Sequence, residues 1–315
     1  MRVARVARPA LLALAAACVA LSTAPAQRAS TTRRAEVDVD SVLARATMLR
    51  RQNRRREAAK AVQQALAVAP DRADVRALDA QLRQELRGGE AMVGFDEKSW
   101  RDRLPEWREW QGSLRANTAV GPFVARGSYV QRGTLRDDRL EVEAYPAFPN
   151  GYLALGVGAA SNATLYARTT LSAEGYATLG GFVEASAGYR RMNFSSPVDI
   201  LTGSLGAYVG NNLVSGRVTG VLHDGGTSVL LSGRHFVGDD GAYVGLRLGT
   251  GSVPVELFTP TDFEVRFSRS AAAEVRAVVM RHLILSAEGE LGREGLAGGG
   301  ATNYTAARVG VGVRY

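Results

Sequence analysis

The stretch "TNYTAARVGVGVRY", residues 302–315, carries two patterns at once. Thr305, Ala307, Val309, Val311, Val313 and Tyr315 fall on one side of an extended chain and form an almost wholly apolar set closed by an aromatic. Ala306, Arg308, Gly310, Gly312 and Arg314 fall on the other and are small or cationic. Successive side chains of a strand point to opposite faces, so this period of two marks a strand with one greasy and one wet side.

The same alternation recurs through the second half of the chain. "NLVSGRVTGVL" sets Val214, Gly216, Val218, Gly220 and Leu222 against Ser215, Arg217 and Thr219. "LILSAEGEL" sets Leu283, Leu285, Ala287 and Leu291 against Ser286, Glu288 and Glu290, and "DRLEVEAY" sets Leu140 and Val142 against Glu141 and Glu143. The breaks between these runs alternate in length. "PNG" (149–151), "LGG" (179–181), "GNN" (210–212), "GDDG" (238–241) and "RH" (281–282) are tight turns. Between them lie longer joins: "GTLRDD", "SNATLYAR", "MNFSSPVD", "HDGGTS", "TGSVPVELFTPTD" and "REGLAGGGATN". Short connections at one end and long ones at the other are the pattern of an outer-membrane barrel.

Alternation alone also suits a soluble sandwich, so the choice rests on what wets the apolar face. The composition has 35 glycines against 9 phenylalanines, a lean supply of bulky groups to interdigitate between two sheets. The chain carries an export address, and it closes on an aromatic at the end of an alternating strand. In lipid a sheet must close on itself, because edge N–H and C=O groups find no water there. The expected fold is therefore mainly β, an antiparallel transmembrane barrel over 109–315. Counting back from Tyr315 on the short and long joins gives 12 strands beginning near Pro122. "WQGSLRANTAV" (110–120) is a thirteenth candidate, and residues near 91–98 would have to supply a fourteenth.

The address is residues 1–26: arginines in "MRVARVARPA", the apolar run "ALLALAAACVALS", then small residues with Ala24-Pro25-Ala26 as the cleavage box of a secretory signal peptide. Cys18, the single cysteine, offers a lipoprotein cleavage as the alternative. With cleavage after Ala26 the mature chain has no cysteine, so it holds together without disulfides although its export route permits them.

Residues 38–87 change period. Val42, Leu43, Ala46 and Leu49, then Ala58, Ala61, Val62, Ala65 and Leu66, then Val75, Leu78 and Leu82 recur at three-and-four spacing, which reads as helix. Pro70 breaks the run and Gly88-Gly89 ends it. The spacing resembles a tetratricopeptide unit, with Ala46, Ala58 and Ala65 at the small positions, Pro70 at the closing proline and Ala80 at the small site of a partial second unit; a plain helical hairpin is the alternative. One and a half repeats cannot bury a continuous core alone, so the segment is expected to lean on a partner, a second copy or the barrel. Residues 88–108 read as a linker.

The formal charge of +8 includes Arg2, Arg5 and Arg8 of the leader. Acidic residues are mixed among the rest, without the basic stripe and interleaved aromatics that nucleic-acid binding asks for. The run "RRQNRRRE" (50–57) reads as a solvated helix face, with polyanion binding as its alternative. No enzyme chemistry is expected. His223, His235 and His282 are scattered, and Ser232 and His235, three apart, point to opposite faces of a strand. Ser196 has no local base, and Asp239-Asp240 fits a turn bonding its own backbone. No cofactor or metal is called for.

The inward set is where function is expected. Arg126, Glu141, Glu143, Glu184, Arg190, Arg217, Arg234, Arg247, Glu274, Arg276, Glu288, Glu290, Arg308 and Arg314 all belong to the polar faces. Either they pair and fill a narrow barrel, since buried charges do not stay unpaired, or they line a wet channel for a polar solute or sugar chain.

With this order of elements, the sequence resembles the YaiO-type outer-membrane barrel family. The resemblance rests on "EASAGYRRMNFSSPVDILTGSLGAYVGN" (184–211), "LLSGRHFVGDDGAYVGLRLGTG" (230–251) and "EAYPAFPNGYLALGVG" (143–158), and it extends over essentially the mature chain. The resemblance implies residence in the cell outer membrane, with the helical segment in the periplasm. It implies outer-membrane lipid and the barrel-assembly machinery as partners, and a periplasmic protein on the helices. The plan is similar to that of exopolysaccharide exporters at the level of architecture only. The expected roles are therefore envelope biogenesis or polymer export, with a non-conducting anchor for a periplasmic partner as the alternative.

Overall fold

The computed structural model describes residues 38–51, 54–101, 105–118, 120–148, 151–179, 182–222, 226–238, 241–252, 265–280, 282–295 and 300–315. The signal segment 1–26 with Cys18, His223, and Asp239-Asp240 lie outside the described residues. The chain divides into two compact units, Met1–Leu86 and Arg87–Tyr315.

The described residues of the first unit form three helices, α1 (Val39–Arg51), α2 (Arg55–Val68) and α3 (Ala73–Arg87). The three-and-four spacing puts Ala46, Leu49, Ala58, Ala61, Val62, Ala65, Val75 and Leu82 into one buried cluster. The alanines let the helix backbones come close, and Pro70, just beyond α2, cannot extend the helix before it. Glu85 of α3 ties the hairpin by accepting from Arg50 at 2.8 Å and Arg55 at 3.1 Å.

The second unit is a closed antiparallel barrel. Its strands are β1 (Gly89–Trp100), β2 (Trp107–Asn117), β3 (Pro122–Arg132), β4 (Leu135–Ala144), the two-residue β5 (Ala147–Phe148), β6 (Gly151–Ala160), β7 (Thr169–Leu179), β8 (Val183–Asn193), β9 (Pro197–Val209), β10 (Asn212–Val221), β11 (Thr227–Val237), β12 (Ala242–Gly251), β13 (Phe267–Val279), β14 (Leu283–Gly295) and β15 (Ala301–Arg314). The long strands pair in sequence order, β4 pairs with β6 past the small β5, which pairs with β6 alone, and β15 returns to β1. The seam runs from Glu90 opposite Arg314 to Trp100 opposite Tyr304, and is tied off by bonds between Gly89 and Tyr315.

Fourteen strands make the wall, not twelve, and this corrects the sequence reading. The two missed strands are β1 and β2. The presumed linker 88–108 is mostly β1, which begins at the second glycine of the pair that ends α3. Its outward face carries only Ala91, Val93 and Phe95 before turning polar at Glu97, and its inward Asp96 and Lys98 look like loop residues. The even count returns the chain to the end at which it entered. Two joins expected to be long are also short. In "GTLRDD" only Gly133-Thr134 form the turn, with Gly133 at φ +60°, and residues 194–196 alone join β8 to β9.

The outward face is the apolar set. Val309 is 53% exposed and Leu246 66%, values that a sandwich would not leave on the inside of a fold. Inward positions are often glycine, and long charged side chains of the next strand lie over them: a Cβ on Gly245 would meet Glu274 Oε1 at 2.6 Å, and one on Gly158 would meet Glu141 Cγ at 2.8 Å.

Candidate functional site

The barrel's inner wall is a set of ion-pair ladders built by register. At the seam, Glu90 of β1 accepts from Arg314 of β15 at 3.1 Å and from Arg276 of β13 at 2.9 Å. Higher on the same seam Asp96 binds Arg308 at 2.6 Å, and Glu288 of β14 binds Arg247 and lies 3.9 Å from Arg308. Above that, Glu290 accepts from the Tyr304 hydroxyl at 2.6 Å, while Glu294 accepts from Lys98 at 2.7 Å and from Trp100 Nε1 at 3.1 Å. Across the barrel, Arg217 of β10 forks onto Glu174 of β7 at 2.9 and 2.8 Å, and Arg234 reaches Glu274 at 2.7 Å over Gly245. A third group joins Arg126 to Glu141 at 3.5 Å and Glu143 at 4.0 Å, and Arg139 to Glu141 at 3.3 Å.

Every charged residue singled out from the sequence falls on the face opposite the exposed Val and Leu set. Arg126, Glu141, Glu143, Arg217, Arg234, Arg247, Glu288, Arg308 and Arg314 stand in these ladders, and Glu290 bonds Tyr304. Glu184 and Arg190 face the same way on β8; Arg190 has no hydrogen bond or ion pair among the described residues. Six charged partners were not singled out: Glu90, Asp96, Lys98, Glu174, Arg139 and Glu294. The first three sit on the strand read as linker. Glu174 was legible in "LSAEGYATL", where Leu171, Ala173, Gly175 and Ala177 alternate with Ser172, Glu174 and Tyr176.

Pairing does not make this lining dry. The side chain of Arg308 keeps 40% of its surface exposed and that of Arg234 37%, although both are bonded to carboxylates. A stuffed core would leave neither. The lining also carries aromatics: Tyr152 and Tyr176 stack with centroids 4.5 Å apart, Tyr145 lies 6.4 Å from Tyr152, and Tyr243 packs edge-on against Phe236 under the Arg234 guanidinium.

At the long-loop end one connection folds inward. Residues 161–168, between β6 and β7, form a strap that puts Leu165 and Tyr166 (1% exposed) against the inward Val130 and Trp107. Farther along, Ala167 joins Met192, Ile200 and Val221. Asp137 of β4, fully buried, anchors the strap. Its carboxylate accepts the backbone N–H groups of Asn162, Thr164, Leu165 and Tyr166 at 2.8 to 3.1 Å. Ala163 sits among them at φ +52°, a strained value for a residue with a Cβ. The Arg139 guanidinium lies 4.3 Å over the Tyr166 ring. Nothing in "SNATLYAR" marks it as inward-folding except its apolar Leu165-Tyr166 pair.

Outside the lining, an open recess of about 570 Å³ lies over Gly112 and Gly127, with Trp110, Tyr129 and Leu140 among its walls. It belongs mainly to the lipid-side face and is distinct from the ladders. Ser232 points inward and bonds Ser215 at 2.7 Å, whereas His235 points outward and contacts Asn212 at 2.9 Å. No group of three or more His, Cys, Asp or Glu residues suited to a metal ion occurs among the described residues.

The family described as "YaiO membrane beta barrel domain" matches residues 89–256. No curated protein matches the chain. Among solved structures, the Acinetobacter baumannii outer membrane protein Omp33 is similar at 10% identity and a TM-score of 0.46, covering 73% of this chain and 99% of its own. A bacterial polysaccharide outer membrane secretin is similar at 9% identity and a TM-score of 0.46, covering 73% and 99%. The KdgM porin is similar at 11% identity and a TM-score of 0.38, covering 70% and 98%.

Proposed function

The chain belongs to the YaiO membrane β-barrel family and is an outer-membrane β-barrel protein, and on that premise we propose that it conducts a polar polymer of the polysaccharide class across the membrane. The observation that carries this reading is the state of the lining. Most of its charges are paired, so little net field repels a neutral or mixed-charge chain, while Arg234 and Arg308 remain solvated. Tyrosines at Tyr145, Tyr152, Tyr176 and Tyr243 add flat apolar faces between hydrogen-bonding groups, the mixture that suits sugar rings. Short turns of such barrels face the periplasm and long loops the exterior. The strap 161–168 then narrows the outer mouth. Mature protein in planar bilayers tests the reading. Discrete current steps, partly blocked by dextrans in a size-dependent way, are expected; a silent bilayer with protein verified as inserted would refute conduction.

A second reading is that the barrel anchors the helical segment as a docking module of tetratricopeptide type for a periplasmic protein. It is favoured by the separate core of the helices around Ala46, Ala58 and Ala65. Removing residues 38–86 is expected to abolish capture of that partner from a periplasmic extract while insertion persists, and retained capture would refute it.

A further inference from the structure

On the lipid-side face, the apolar band of β13 and β14 ends abruptly at one level. Along β14 the outward residues run Leu283, Leu285, Ala287, Gly289 and Leu291, and then Arg293; along β13 they run from Val279 to Ala271, and then Arg269. Arg269 and Arg293 are direct cross-strand partners. The same row continues to Asn303 on β15 and to Thr250 on β12, so four adjacent strands present donors side by side. All four residues are exposed. The row beneath them is Leu248, Ala271, Leu291 and Thr305.

Two like charges directly opposite each other in a sheet are unfavourable unless an anion lies between them. Elsewhere on this rim two outward arginines have one. Arg108 binds Glu97 and Glu106, and Arg191 lies 3.5 Å from Asp199. Among the described residues no carboxylate lies within ion-pair distance of Arg269 or Arg293. On β1, two strands from β14, the outward Glu97 is already taken by Arg108 at 3.0 Å.

We propose that the Arg269–Arg293 pair, flanked by Asn303 and Thr250, binds the phosphate headgroup of a membrane lipid in the leaflet at the long-loop end. Partner Cα atoms about 5 Å apart let both guanidinium forks reach one phosphate. The Leu248 and Leu291 surface just below receives the acyl chains, and the arginines sit where that hydrocarbon ends. A soluble anion would have no use for this placement on the lipid-side wall.

The test counts bound lipid on purified full-length protein in non-ionic detergent by native mass spectrometry. The probes are a diphosphorylated acylated glucosamine disaccharide and the same lipid with both phosphates removed. The protein is expected to retain the phosphorylated lipid and to hold the dephosphorylated one roughly tenfold less. An R269Q/R293Q variant loses that preference, R269K/R293K keeps most of it, and R191Q matches the parent. Circular dichroism checks that each variant is folded, and the Lys pair supplies the charge-preserving comparison. Equal retention of both lipids, or unchanged retention by R269Q/R293Q, overturns the proposal. So does displacement by an equal concentration of inorganic phosphate, which would mark a free-anion site.

Discussion

Asp137 is one carboxylate holding four backbone N–H groups of the inward strap, in a place with no other described acceptor for them. Its charge suits oriented N–H dipoles better than a neutral amide would. Asp137→Ala leaves the donors to water or to nothing, at a cost of about 1–3 kcal/mol. The strap is then expected to loosen: single-channel current in bilayers becomes larger or noisier, and residues 161–168 become a protease site in intact protein. An unchanged current and an uncut loop would show that the strap is held by Leu165 and Tyr166 alone. Two further residues set the sign of the lining. Arg190 makes no described hydrogen bond or ion pair, so Arg190→Gln removes a positive charge without stripping a bonded partner and is expected to move the reversal potential in a salt gradient toward cation preference. Glu174→Gln strips the partner of Arg217 and is expected to move it the other way. Shifts of the same sign would contradict the pairing.

At the scale of the element, the decisive join is β15 with β1. The period in "VGVGVRY" was enough to orient Val309, Val311 and Val313 outward and Arg308 and Arg314 inward, because lipid leaves a strict alternation there. It was not enough to find the strand that β15 closes on. β1 mixes Glu97 and Ser99 into its outward face above the hydrocarbon, where either polarity is tolerated, so no period survives beyond Phe95. The ladder partners were invisible for a related reason: alternation tells which face a charge takes, whereas Arg276 finding Glu90 depends on register across two intervening strands. The strap was hidden because its fold depends on one distant carboxylate. Glycine completes the seam. A Cβ on Gly312 would stand 2.5 Å from both the Ala91 carbonyl oxygen and Met92 Cγ. Gly312→Val is therefore expected to destabilise closure by about 1–3 kcal/mol. The folded, fast-migrating form on unheated gels should then convert to the slow form at lower temperature than for the parent, and an identical conversion temperature would mean that the seam can shift to make room.

For the whole molecule the question is which parts stand alone. The ladders, the seam and the strap anchor all draw on residues 89–315, and the helices bury Ala46, Val62, Val75 and Leu82 among themselves. In lipid the barrel gains nothing from the helices to satisfy its backbone, since ring closure already pairs the edge strands. The helical unit lacks that advantage: three helices with an alanine-rich core bury little apolar surface, and a small core supplies little stability. Excising residues 38–86 is expected to leave a barrel that inserts, resists heat in unheated gels and keeps its current in bilayers. The isolated segment 38–87 is expected to show weak, easily melted helicity by circular dichroism until a partner covers it. Should the excised barrel fail to insert, the helices would be part of its assembly instead of a passenger, and the conduit and docking readings would have to be joined into one.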